Sequence, residues 1–152
     1  MSVEVGEEAA DFTLRDQHGQ QVTLSSFRRS KVVLVVFYPF AFSRTCTTEL
    51  GDIRDAEPEL CSDEVALLAI SCDPIHSLRA LADQESLAFP LLSDFWPHGA
   101  VARAYGNFND SVGCAYRGTF LVRRDGTVAW KVENGMANAR SVVDYRAALA
   151  RA

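Results

Sequence analysis

The chain has 152 residues, 48% of them hydrophobic and 23% charged. That is the composition of one globular domain, residues 1–152, with a core large enough to need no metal or disulfide staple, and it excludes a disordered chain. Fifteen Lys+Arg against twenty Asp+Glu leave a formal charge of -5, which disfavours nucleic acid or an acidic membrane as partner, since both need a basic face.

The opening, MSVEVGEEAADF, is acidic and has neither the basic nor the apolar region of a signal peptide, so a cytoplasmic location is expected. Phe12–Leu14 and Gln21–Thr23 alternate around Asp16-Gln17-His18-Gly19 and predict a small hairpin. Val32–Phe37 is a continuous β-branched run, the pattern of a strand covered on both faces. Even extended to Phe42 it is too short to span a bilayer. Cys46, Leu50 and Ile53 recur at helical spacing, and that helix should stop before Pro58. Val65–Ser71 is a second buried strand, Ser77–Glu85 a helix, Pro90–Ser93 a short strand, and Ala100–Tyr105 a short helix closed by Gly106. Thr119–Arg123 and Val128–Val132 flank the hairpin signal Asp125-Gly126, and Ser141–Ala150 is a final helix. This order predicts an α/β fold with a mixed central sheet and helices on both faces. It matches a thioredoxin-like fold with an N-terminal hairpin extension; a flavodoxin-like sheet is the alternative. No glycine-rich phosphate loop follows any strand, so no nucleotide site is expected.

The four cysteines, Cys46, Cys61, Cys72 and Cys114, form no C-x-x-C pair. His18, His76 and His98 form no H-E-x-x-H pattern. Neither a metal nor an organic cofactor is expected. Chemistry in open α/β sheets concentrates beyond the carboxyl ends of the strands. There the first buried strand runs through Tyr38-Pro39-Phe40-Ala41-Phe42-Ser43 into a helix that begins near Cys46. Ser43, Thr45 and Thr47 are all fit to cap it. Each choice puts Cys46 in the first turn, facing free N–H groups.

A free thiol titrates near about 8.5, so working as an anion at neutral pH requires roughly two units, about 2.7 kcal/mol. A helix N-terminus supplies about 0.3–1 kcal/mol and at best about 2. A cation is therefore needed, and Arg44, Arg54 and Arg117 are the candidates. Arg117 enters an apolar strand, which would hold it in place. Alone, such a cysteine is an ordinary small buried hydrophobe.

The joint pattern carries more. Pro39-x-x-x-Ser43-x-x-Cys46 resembles the P-x-x-x-[T/S]-x-x-C signature of peroxiredoxins, and Arg117-Gly118-Thr119-Phe120 resembles their arginine strand. Ala10-Asp11-Phe12-Thr13-Leu14 is similar to their A-P-D-F-x-L opening, with Ala10 in place of the proline. FYPFAFSRTC together with LLSDFWPHGAVARAYG resembles the AhpE-type, one-cysteine branch. The resemblance implies a thiol-dependent peroxidase for hydrogen peroxide and organic hydroperoxides, peroxynitrite being equivalent at the O–O bond. Cys46 would be the peroxidatic thiolate, which becomes a sulfenic acid. Ser43 would hold the peroxide, without the β-methyl that stiffens threonine. Pro39 would shield the sulfur, Arg117 would stabilise its charge, and Glu49 would orient the arginine. Glu49 also fits as an ordinary first-turn acid.

Five residues past Cys46 stands Gly51, so a resolving cysteine found there in related enzymes is missing. Cys61 lies beyond the first helix, roughly 20 Å from its start. Cys114, in a Gly113-containing loop, and then Cys72 are the internal candidates for resolving Cys46. The favoured reading is an external thiol reductant. The chain has thirteen arginines against two lysines and twenty alanines against three isoleucines, the mark of a G+C-rich genome. With the AhpE-type resemblance this implies an external reductant of the mycothiol/mycoredoxin or thioredoxin type, the composition pointing to the former. Phe40, Phe42, Phe95 and Trp96 stand in loops, where exposed aromatic clusters mark interfaces or else pack on the domain's own core; the resemblance, in whose members these loops meet across a dimer, implies a homodimer or a larger ring built from it. The competing reading is a peroxide-sensing relay that passes oxidation to a partner without efficient turnover.

Overall fold

The computed structural model describes residues 2–134 and 140–152. Two antiparallel strands open it, β1 (Thr13–Arg15) and β2 (Gln21–Thr23), followed by a 3₁₀ turn at Leu24–Phe27. The fully buried strand β3 (Val32–Phe37) then leads to helix α1 (Arg44–Asp55). A separate turn of helix, α2 (Glu57–Leu60), carries Pro58 in its first turn, where the missing N–H costs nothing. Next come β4 (Val65–Ser71), α3 (Ile75–Glu85), β5 (Leu91–Ser93) and α4 (Ala100–Ala104). The short pair β6 (Phe108–Asn109) and β7 (Cys114–Ala115) precedes β8 (Arg117–Val122), β9 (Val128–Asn134) and α5 (Val142–Ala150).

The main sheet runs β2-β1-β5-β4-β3-β8-β9. Strands β3, β4 and β5 are parallel, while β8 and β9 add on antiparallel beyond β3. This is the mixed, thioredoxin-like sheet with an N-terminal hairpin. A fully parallel flavodoxin-like sheet is excluded by the antiparallel pairings of β8 and β1. The alternation of side chains along β3 divides the core in two. Val32, Leu34, Val36 and Tyr38 face α1, α2, α3 and α5. Val33, Val35 and Phe37 face the N-terminal segment and α4. Helices thus cover both faces, but unequally. On the α1 side Leu50 and Ile53 are fully buried, each such side chain contributing about 1.5–3 kcal/mol. Among the described residues no helix is long and apolar enough to cross a membrane.

Two features depart from the sequence reading. The Gly113 segment is not a free loop: Gly113, at φ +82°, closes the turn between β6 and β7, and Cys114 pairs with Asn109 and is buried. Two-residue strands carry no periodicity to read. Strand β8 also begins two residues earlier than Thr119 and takes in Arg117. Gly118 is required there, because a Cβ would stand 2.5 Å from the Asn107 side-chain oxygen. That asparagine ties Tyr116 twice, its side-chain amide donating to the Tyr116 carbonyl and its backbone carbonyl accepting from the Tyr116 N–H, and so fixes the entry of Arg117 into the sheet.

Candidate active site

The parallel strands β3, β4 and β5 end together, and the loops that leave them form one end of the molecule. From β3 the chain passes Tyr38 and Pro39, both buried, and turns through Phe42 at φ +70°. Ser43 is the N-cap of α1, its hydroxyl accepting from the Cys46 N–H at 3.4 Å. Thr45 and Thr47 lie inside the helix. Cys46 therefore occupies the third helical position, with its sulfur in the first turn and no solvent exposure.

Arg117 reaches the same sulfur from the sheet. Val36 pairs with Thr119, and Thr119 and Leu121 share the α1-facing side of β8. Arg117, two residues before Thr119, projects to that side as well. Its Nη2 donates to Cys46 Sγ at 3.2 Å, and its Nη1 donates to Glu49 Oε1. The other arginines considered do not come near: Arg44 is exposed, and Arg54 binds Asp55 and the Glu85 carbonyl.

Glu49, one turn after Cys46, is only 4% exposed. It is not a surface first-turn acid. A second guanidinium, Arg140, clamps its other oxygen: the Arg140 backbone N–H donates to Oε2 at 2.6 Å and Nε at 3.0 Å. Arg140 Nη1 also donates to Gly118 O and Thr119 Oγ1, each at 2.9 Å. Sequence reasoning missed Arg140, which stands 91 residues from its partner. The one signal was physical: a buried carboxylate facing an arginine that also serves a sulfur needs more donors than that arginine provides.

Cys72 follows β4, at the end of the sheet where Cys46 lies, and Cys114, in the separate β6–β7 pair, is near enough to feel charge on Cys46, Asp73 and Arg117. Burial pushes the Cys72 thiol up to about 12, with Asp94, Cys114 and Asp73 adding to it. Burial pushes Cys114 up to about 11, and charge on Cys46 and on Asp73 adds to it. Cys61 is half-buried beyond α2. The four aromatic loop residues are exposed, Trp96 by 82%. Phe40 and Phe42 follow β3 while Phe95 and Trp96 follow β5, which brings both pairs to the active-site end.

A buried sulfur in the first turn of a helix, held by a guanidinium that is itself held by a buried carboxylate, on a thioredoxin-like sheet, defines a thiol-based redox enzyme. Comparison with known proteins narrows the class. Residues 5–131 match the AhpC/TSA family. The chain is 53% identical over 124 residues to alkyl hydroperoxide reductase E of Mycobacterium tuberculosis, covering 82% of this chain and 81% of that protein. It is 36% identical over 132 residues to peroxiredoxin Bcp of Escherichia coli, covering 83% of each. The crystal structure of peroxidoxin BcpB from Mycobacterium tuberculosis superposes with a TM-score of 0.86 at 28% identity, covering 98% of this chain and 97% of that one. The chain belongs to the AhpC/TSA family of peroxiredoxins and is a thiol-dependent peroxidase. Family membership favours turnover over the sensing relay.

Proposed function

We propose that the chain works as one peroxidase domain in which Cys46 is the thiol that reduces hydrogen peroxide and organic hydroperoxides. The observation that carries this reading is the hydrogen bond of Arg117 to the Cys46 sulfur, with Glu49 and Arg140 behind it. Two guanidiniums and one carboxylate leave this buried cluster with one excess positive charge, and an anionic sulfur brings it to neutrality. The thiolate attacks one peroxide oxygen, the O–O bond breaks, and its electron pair leaves on the other oxygen, which takes up a proton to give water or an alcohol. Cys46 is left as a sulfenic acid. Arg117 donates to the sulfur and to the charge developing along S···O···O. Ser43 presents its hydroxyl beside the Cys46 amide to hold the peroxide. Pro39 is buried against the site and brings no N–H to compete for it. Glu49 orients Arg117.

The sulfenic acid is then reduced by an external thiol: one thiol forms a mixed disulfide and releases water, and a second frees Cys46 and leaves as disulfide. Cys72 and Cys114 serve poorly as internal resolving groups, because thiols that ionise only near 11 to 12 hold almost no thiolate at neutral pH. The reductant is of the mycothiol/mycoredoxin type. The Cys72→Ser/Cys114→Ser double variant is expected to turn over hydroperoxide with mycothiol and mycoredoxin at the wild-type rate. Loss of turnover in that variant, or turnover supported by thioredoxin alone, contradicts this assignment. Such a cycle belongs in the cytoplasm, where thiols are kept reduced; recovery of the protein from a membrane or secreted fraction contradicts that location.

A second copy of the chain covers the exposed loops. Phe40, Phe42, Phe95 and Trp96 lie at one end of the sheet, and a homodimer built there encloses the entrance to Cys46. Trp96 has little packing to lose, so Trp96→Arg is expected to fold normally and to sediment as monomer where the wild type sediments as dimer. A wild type that is monomeric at micromolar concentration contradicts the assembly.

A further inference from the structure

The loop that carries Pro39 to Ser43 over Cys46 is held weakly by its own side chains. Phe40 and Phe42 are 39% and 48% exposed. Phe42 sits at φ +70°, a strained region for any residue but glycine. Within the loop the Ser43 N–H reaches the Phe40 carbonyl only at 3.4 Å. Apart from the bonds by which Ser43 caps α1, among the described residues the loop makes one hydrogen bond to a different element: the Ala41 N–H donates to Asp73 Oδ2 at 2.8 Å.

Asp73 is built to receive it. The residue follows β4, just before α3. Ser71 Oγ donates to the same Oδ2 at 2.7 Å, and the Asp73 N–H donates back to Ser71 Oγ at 3.4 Å. From β5, Ser93 Oγ donates to the Asp73 carbonyl at 2.6 Å. The carboxylate is thus held by Ser71 at the end of β4 while the Asp73 backbone is held by Ser93 of β5, and its charge is felt at Tyr38, Cys72 and Cys114 around the site. It joins the end of β4 to the loop that leaves β3.

We propose that Asp73 is the positioning residue of the peroxide-binding loop. One carboxylate oxygen holds the Ala41 amide and thereby sets Pro39 and Ser43 against Cys46. It touches neither sulfur nor peroxide. This rests on the reading of Cys46 as the peroxide-reducing thiol. Reacting groups held by a loop lose rate steeply when the loop shifts, by up to about 100-fold for about 1 Å.

The test compares Asp73→Ala and Asp73→Asn with the wild type. Asparagine keeps a carbonyl oxygen where Oδ2 accepts; alanine keeps nothing. Oxidation of Cys46 by one equivalent of hydrogen peroxide, read by quenched-flow mass spectrometry, is expected to slow about tenfold or more in Asp73→Ala and to stay within about threefold of wild type in Asp73→Asn. Alkylation of Cys46 by iodoacetamide, which needs access rather than an ordered peroxide site, is expected to speed up in Asp73→Ala. A general loss of structure would not be rescued by asparagine. Wild-type rates in Asp73→Ala, or an Asp73→Asn variant as slow as Asp73→Ala, overturn the proposal. Amide exchange in the unmutated protein gives a reading that needs no variant and no peroxide: the Ala41 amide should exchange more slowly than those of Phe40 and Phe42. Equal exchange overturns the tether, and this decides the matter even where Asp73→Ala fails to fold. A wild type that does not react with peroxide at all counts against the Cys46 assignment, leaving the Ala41 amide to judge Asp73.

Discussion

Cys46→Ser is expected to abolish peroxide turnover, bringing consumption down to the background reaction of peroxide with the reductant. Among the described residues Cys46 is the one sulfur with a guanidinium on it, at 3.2 Å. Cys72 and Cys114 are buried with their thiols pushed up to about 12 and about 11, and Cys61 stands beyond the far end of the helix pair. None of the three can take over. A hydroxyl in place of the thiol cannot be oxidised by peroxide, so the loss is of chemistry and not of packing. The measurement is hydroperoxide consumption with excess thiol reductant, with the folded state checked by circular dichroism. A serine variant that retains a tenth or more of wild-type turnover would mean another cysteine carries the reaction.

Arg117→Met is expected to slow oxidation of Cys46 by about 10²–10³, the loss of about 2.7–4 kcal/mol typical of removing one donor aimed at developing charge. The fold should survive. Glu49 keeps three hydrogen bonds from Arg140, so its carboxylate is not left buried without a partner. Arg117→Lys should fall between the two, since it restores a charge but not the planar fork that serves Cys46 and Glu49 together. Stopped-flow oxidation with hydrogen peroxide reads all three proteins. A methionine variant within about threefold of wild type would deny the guanidinium its role in the transition state.

Much of this was legible in the chain, and the reason differs by element. VVLVVF and VALLAIS declare central strands because only a strand covered on both faces tolerates such runs. Asp125-Gly126 declares the β8–β9 hairpin because Gly126, at φ +91°, supplies the turn. The Pro39–Cys46 segment is local, so its spacing survives in sequence. What was hidden is non-local or degenerate. Three hydroxyl residues could have capped α1, and only the position of the first turn selects Ser43. The choice of Arg117 over Arg44 and Arg54 rests on the pairing of β8 with β3. Arg140 and Asp73 reach the site from 91 and 32 residues away, along no periodic pattern. The burial of Cys114 follows from a two-residue strand too short to read.

The most direct test mixes reduced protein with one equivalent of hydroperoxide in the presence of dimedone, which traps sulfenic acids, and maps the adduct by mass spectrometry. A single adduct on Cys46, formed far faster than on a free thiol, is the expected result. A Cys46–Cys114 or Cys46–Cys72 disulfide would keep the peroxidase but contradict the external reductant. An adduct on a different cysteine, or none above the free-thiol rate, would contradict the assignment of Cys46 itself.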